Sequence, residues 1–233
     1  MSDHHGWVHP IRLLPLSLIL VVSACGATSV QTAAAVRPAA MSPSAPAPWF
    51  ADSVGSAPQV VSVQGIGGTK ATIGTWQRTG DSWEAVERNI PSDVGSAGFA
   101  SVASDDSPAT PTGVFSLDYA FGTEPSVAHG LDYLQVDAND WWDGDPASPN
   151  YNTHQRCAES ACSFDTSLSE ELDGYQRAIV MGVNKSRKPG GGSAFFVHAT
   201  DGGPSAGCVT LDDTALVRLI GWLQPGAVIA IKA

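Results

Sequence analysis

The 233 residues carry a formal net charge of −11, which excludes the broad basic face that phosphate backbones require and gives no electrostatic hold on anionic lipid. Once an export leader is set aside, what remains suffices for one well-buried domain and not comfortably for two.

The leader comes first along the chain. A short polar stretch ends in Arg12, and residues 13–22 form an apolar run too short to span a bilayer as a helix but of the length of a signal-peptide core. Val22-Ser23-Ala24-Cys25 follows and resembles the bacterial lipobox, in which small residues fit the peptidase and the Cys thiol takes the lipid. Residues 1–24 are therefore read as a signal peptide and Cys25 as the lipid-modified first residue. The protein is expected to be exported, extracytoplasmic and anchored to the cell membrane, with more than one acyl chain needed for a firm hold. From 25 to 58 the sequence is rich in Ala, Ser, Pro and Thr. That composition buries little, so it predicts a disordered tether reaching roughly 30 Å from the anchor.

Residues 59–233 read as a mostly β domain. Val60-Val61-Ser62-Val63 predicts a strand. Residues 70–78, the turn Thr79-Gly80-Asp81-Ser82 and residues 83–86 predict a hairpin. Trp76 and Trp83 lie across it and are expected as core or cross-strand partners. Residues 114–119 alternate, with Phe115, Leu117 and Tyr119 assigned to one face. Asp137, Asp140, Asp143 and Asp145 do not match a calcium-loop spacing and are expected in a solvated acidic loop. Trp141 and Trp142 within it either line a groove or pack on a sheet. Further strands are predicted over 175–183, 193–198 and 227–232. Leu216, Leu219, Ile220 and Leu223 fall at helical spacing, with Asp212 or Asp213 as N-cap and Pro225-Gly226 as the stop.

Four cysteines need sorting. Cys157 and Cys162 lie five positions apart and, in an exported protein, are expected to pair; zinc is the rival, but two cysteines with only His154 nearby are a poor ligand set. With Cys25 lipidated, Cys208 is left as the free thiol. It ends the segment Phe195-Phe196-Val197-His198-Ala199-Thr200-Asp201-Gly202-Gly203-Pro204-Ser205-Ala206-Gly207-Cys208. A strand ending in His, a Gly/Pro loop and a Gly-Cys pair can set an imidazole beside a thiol with backbone N–H groups turned into the same space. Covalent acyl transfer needs those parts: nucleophile, base and oxyanion donors. A neighbouring imidazole is expected to draw the thiol towards thiolate. Gly203-Pro204-Ser205-Ala206-Gly207 also satisfies the serine-hydrolase elbow pattern, but no His follows Ser205, as that chain order requires. His129 and His154 are the other histidines outside the leader. His198 is preferred for its place at a strand end ten residues before Cys208.

Here the chain resembles the L,D-transpeptidases with a YkuD-type catalytic domain. The likeness rests on His198, on Ser205-Ala206-Gly207-Cys208 and on the upstream Thr110-Pro111-Thr112-Gly113-Val114-Phe115. It is similar to an actinobacterial branch through Trp141, Trp142, Asp145, Pro146, Tyr151 and Asn152. Ala206 stands where many members carry a second His, and Thr210 where they carry an Arg. The resemblance implies a β-sandwich-like fold with at least one short C-terminal helix, no metal and no cofactor. It implies peptidoglycan stem peptides as partners, with Cys208 attacking a tetrapeptide, D-Ala leaving and a second stem resolving the thioester into a 3→3 cross-link. His198 would be the base, held by a backbone carbonyl such as that of Ala199. Gly207 and Cys208 N–H groups would serve the oxyanion, and carbapenems would acylate the same thiol. The rivals are hydrolysis by the same pair, giving an L,D-carboxypeptidase or endopeptidase, and a peptidoglycan-binding lipoprotein without turnover.

Overall fold

A computed structural model describes residues 46–233. The leader, Cys25 and the tether up to residue 45 lie outside the described residues.

Strands β1 (Gln59–Gly67), β2 (Lys70–Thr79) and β3 (Ser82–Asp93) form an antiparallel meander. The β2–β3 turn pairs Thr79 with Ser82, and Gly80 supplies the positive φ of 59° that the tight reversal needs. β3 runs well past the predicted end at Val86, because polar residues on both faces, Glu84 and Arg88 on the exposed one and Glu87 on the other, hide the strand from a hydrophobicity count. Two short strands, β4 (Phe99–Ala100) and β5 (Thr110–Pro111), pair in parallel and lead into β6 (Gly113–Gly122), followed by β7 (Tyr133–Gln135). β8 (Asp140–Asp143), β9 (Thr153–Arg156) and β10 (Glu170–Glu171) make a small separate sheet, ordered β10-β8-β9. β11 (Ala178–Met181), β12 (Phe196–Ala199) and β13 (Val209–Leu211) precede helix α1 (Asp213–Trp222), and β14 (Val228–Lys232) closes the described chain.

The large sheet is ordered β11-β12-β13-β3-β2-β1-β14-β6-β7, and β11 also pairs with β6. The sheet therefore closes on itself, and the two layers expected of a sandwich are opposite walls of one continuous, mostly β structure. The helix sits where the spacing placed it. Asp212 is its N-cap, accepting from the N–H groups of Thr214 (3.0 Å) and Ala215 (3.4 Å). Its buried face, Ala215, Leu216, Leu219 and Ile220, joins Val61, Ile73, Leu117, Val197, Val209 and Ile229 in the main core.

Three expectations need correction. The assignment of Phe115, Leu117 and Tyr119 to one face fails at Tyr119, which packs with Phe121 and Phe196 in a second cluster while Leu117 and Ala120 stay in the main core. The register slips between Ile179↔Ala120 and Met181↔Leu117, so one extra residue of β6 turns the alternation over. The tether ends earlier than residue 58: Phe50, Val54 and Ala57 are buried with Val60, and Phe50 sits edge-on to Trp76 (5.4 Å) and Trp83 (5.3 Å). The acidic run is a solvated loop only in part: Asp137 is exposed and Asp145 half-buried, but Asp140 and Asp143 belong to β8, all of whose residues are buried. Asp140 accepts from His154 Nε2 (2.8 Å), the Asp137 N–H (2.8 Å) and Arg156, and Asp143 from the Asp145 N–H (3.0 Å) and Ser148 Oγ (2.5 Å). Burial of carboxylates is tolerable when donors surround them.

Candidate active site

β12 and β13 run parallel, with Val197 opposite Val209 and His198 opposite Thr210. Alternation sends Val197 into the main core and leaves Phe196 and His198 on the other face, where Cys208, immediately before β13, joins the second cluster. The nine-residue connection between β12 and β13 therefore returns the thiol to the neighbouring strand on the same side as the imidazole. Both line a cleft of about 840 Å³. Its other walls are the 104–108 loop and the small sheet with its following turn, including Trp142 and Glu170. Trp142 thus contributes to the cleft, whereas the buried Trp141 packs and donates to the Cys157 carbonyl (3.3 Å).

The imidazole is held on two sides. Its Nδ1–H donates to the Ala199 carbonyl at 2.8 Å, which leaves Nε2 as the basic nitrogen. Tyr175 packs edge-on against it at 5.2 Å, and the Tyr175 hydroxyl donates to Glu170 Oε1 at 2.7 Å. Burial holds His198 below its ordinary pKa, outweighing the Ala199 carbonyl, Asp201 and Glu170, so the ring is poised neutral.

The thiol does not behave as its sequence context suggests. Cys208 is 8% exposed. Its Sγ accepts from the Phe196 N–H (3.3 Å) and donates to the Ala194 carbonyl (3.5 Å); among the described residues His198 is not one of its hydrogen-bond partners. Burial pushes the thiol pKa up to about 12, with Glu170 adding to the rise and the Phe196 N–H opposing it. The expected shift towards thiolate is therefore reversed: the resting pair is a neutral thiol and a neutral imidazole, because loss of water outweighs the one hydrogen bond that favours the anion.

The Gly-Cys turn is built from below. The buried Thr110 hydroxyl donates to the Gly207 carbonyl (2.8 Å), and Ser205 Oγ donates to the Cys208 carbonyl (2.6 Å). The Gly207 N–H donates to Ser205 Oγ (3.0 Å), so of the two expected oxyanion donors it is already engaged, and the Cys208 N–H is the remaining candidate. Gly207 has φ 138°, and a Cβ there would lie 2.8 Å from the Phe195 ring, so the position requires glycine. Ala206 lines the cleft beside it. Thr110, Glu170 and Tyr175 were not singled out by sequence reasoning. Thr110 lay within a motif used for the resemblance without a role of its own; Glu170 and Tyr175 had no local pattern to mark them.

Cys157 and Cys162 form a disulfide, Cα–Cα 5.3 Å, that clips the chain just after β9. Asp105, Asp106, Glu170 and Asp201 line the cleft and no Lys or Arg does, so its field favours an ammonium-bearing ligand. His154 is taken by Asp140. Among the described residues no cluster of His, Cys, Asp and Glu has the makings of a metal site.

The sequence profile of the YkuD family, L,D-transpeptidase catalytic domain, matches residues 76–231. No curated protein matches the chain. Among solved structures, an L,D-transpeptidase from Mycobacterium smegmatis is similar at 14% identity and a TM-score of 0.38, covering 76% of this chain and 59% of its own. The profile spans well over half of the sequence and includes Thr110, His198 and Cys208, so the chain belongs to the YkuD family of L,D-transpeptidase catalytic domains.

Proposed function

We propose that this protein is a cysteine-dependent L,D-transpeptidase that forms 3→3 cross-links between peptidoglycan stem peptides. The observation that carries the reading is the shared cleft, in which Cys208 and a His198 fixed in one tautomer by the Ala199 carbonyl line the same space. The donor is a tetrapeptide whose third residue is a diamino acid. As Sγ attacks the carbonyl of that residue, its proton passes to His198 Nε2, and the carbonyl oxygen becomes an oxyanion facing the Cys208 N–H. The C–N bond breaks, the D-Ala amine takes the proton from His198, and a thioester remains. A side-chain amine of a second stem attacks the thioester, gives a proton to His198 and releases the thiolate, which is reprotonated. The neutral resting pair suits this sequence, since thiol and imidazole exchange the proton only as the carbonyl is engaged. Export, lipid anchorage at Cys25 and kinship with the actinobacterial branch are part of the same reading. They would place the domain outside the membrane and facing the wall.

The test is intact mass after incubation with meropenem, followed by digestion. One adduct on Cys208 is expected, absent from Cys208→Ala and slowed at least a hundredfold in His198→Ala. No adduct, or an adduct elsewhere, would overturn the reading. Products from a tetrapeptide donor then separate transfer from hydrolysis.

A further inference from the structure

A second recess of about 530 Å³ adjoins the cleft at His198; Glu170, Tyr175, His198 and Asp201 line both spaces, Cys208 lines only the first and Arg177 only the second. Arg177 directly precedes β11, and its side chain is 15% exposed. It forms long ion pairs with Glu124 and Asp213, each at 3.8 Å and beyond hydrogen-bond distance. Its Nε is buried without a partner, as is Asp213 Oδ1. Among the described residues the guanidinium makes no hydrogen bond. Five N–H donors in a planar fork match a carboxylate; here the charge has only two ion pairs too long for hydrogen bonds, so the fork keeps donors to offer an anion.

The recess also presents Glu170, Asp201 and Asp213. A ligand bearing only a carboxylate would meet three acids, and one bearing only an amine would leave Arg177 without a hydrogen-bonded partner. The complement to both is an ammonium and a carboxylate on one carbon.

We propose that this recess is the acceptor subsite, and that Arg177 is a specificity-determining residue that holds the free carboxylate on the carbon bearing the attacking amine. The inference rests on the acyl-transfer reading above. It selects acceptors with an α-amino-acid head over those ending in a bare amine or a carboxamide. Glu170 and Asp201, which line both spaces, receive the ammonium beside His198. The ammonium sheds one proton to solvent, and the neutral nitrogen attacks the thioester carbonyl and passes a second proton to His198 Nε2. The C–S bond breaks with its electron pair on Sγ, and His198 returns the proton to the sulfur.

The test uses the acyl-enzyme formed from a tetrapeptide donor and two acceptors, Nα-acetyl-meso-diaminopimelate with its second carboxylate free and the corresponding carboxamide. The wild type is expected to favour the free carboxylate at least tenfold in kcat/KM. In Arg177→Gln and Arg177→Lys that ratio should fall to within twofold, with the loss in the acceptor KM. A wild type that does not discriminate, or a folded Arg177→Gln that keeps the ratio, overturns the proposal. Should the wild type form no acyl-enzyme, the transpeptidase reading fails separately. NMR titration of both acceptors then still decides the recess: a Kd at least fivefold lower for the free carboxylate supports it, and equal values overturn it.

Discussion

The Thr110 hydroxyl donates to the Gly207 carbonyl across 2.8 Å and accepts from the Gly95 N–H at the same distance, joining three segments beneath the nucleophile. Thr110→Val keeps the shape and leaves a buried acceptor and a buried donor unpaired, at about 1–3 kcal/mol each. The expected outcome in urea unfolding is a loss of about 2–4 kcal/mol, with Cys208 acylation by meropenem slowed at least tenfold and Thr110→Ser restoring both. Unchanged acylation in Thr110→Val would show that the turn holds its shape without this support.

The neutral resting pair sets the pH behaviour. Free alkylation needs thiolate, and the Cys208 pKa is pushed up to about 12, so iodoacetamide should react slowly at neutral pH and faster through the alkaline range. Acylation by meropenem needs a neutral His198, whose pKa burial holds below its ordinary value of 6.5. Acylation should therefore stay level at neutral pH and fall only as acid reaches the lowered His198 value. The same group contributes stability that is present above 6.5 and is lost as pH drops through its folded pKa, where the unfolded chain binds the extra proton. An alkylation midpoint below pH 8 would contradict the structure.

Phe50 is fully buried among Trp49, Trp76 and Trp83. Phe50→Ala is expected to cost about 3–5 kcal/mol in chemical denaturation. A chain beginning at Gln59 should be destabilised at least as much, relative to one beginning at Pro46. Equal stability of the chains from Gln59 and Pro46 would return residues 46–58 to the tether.

The Cys157–Cys162 disulfide closes a short loop beside the small sheet that forms one wall of the cleft. Paired Cys→Ser substitutions should lower stability by about 2 kcal/mol. A looser wall should raise the KM for the tetrapeptide donor more than it lowers kcat. A fall in kcat alone would assign the bridge to the chemistry instead.

Much of the molecule is local and could be read from residue order. Helix α1 follows from apolar spacing, an Asp cap and a Pro-Gly stop, and the first hairpin from alternation around a Gly turn, because these depend on neighbours a few positions away. The motif carrying His198 and Cys208 also fixes their separation along the chain, and a strand, loop and parallel strand return can bring the two together in few ways. What only the tertiary structure decided depends on segments far apart in sequence. The closure of β11 on β6, the extra residue that turns Tyr119 away from Leu117, the packing of Phe50 and the burial of Asp140 and Asp143 all arise from such contacts. The ionisation of Cys208 belongs with them. A thiol's proton affinity follows the water and dipoles around it, and those are set by Ala194, Phe196 and Glu170 after folding, not by the imidazole ten residues earlier in the chain.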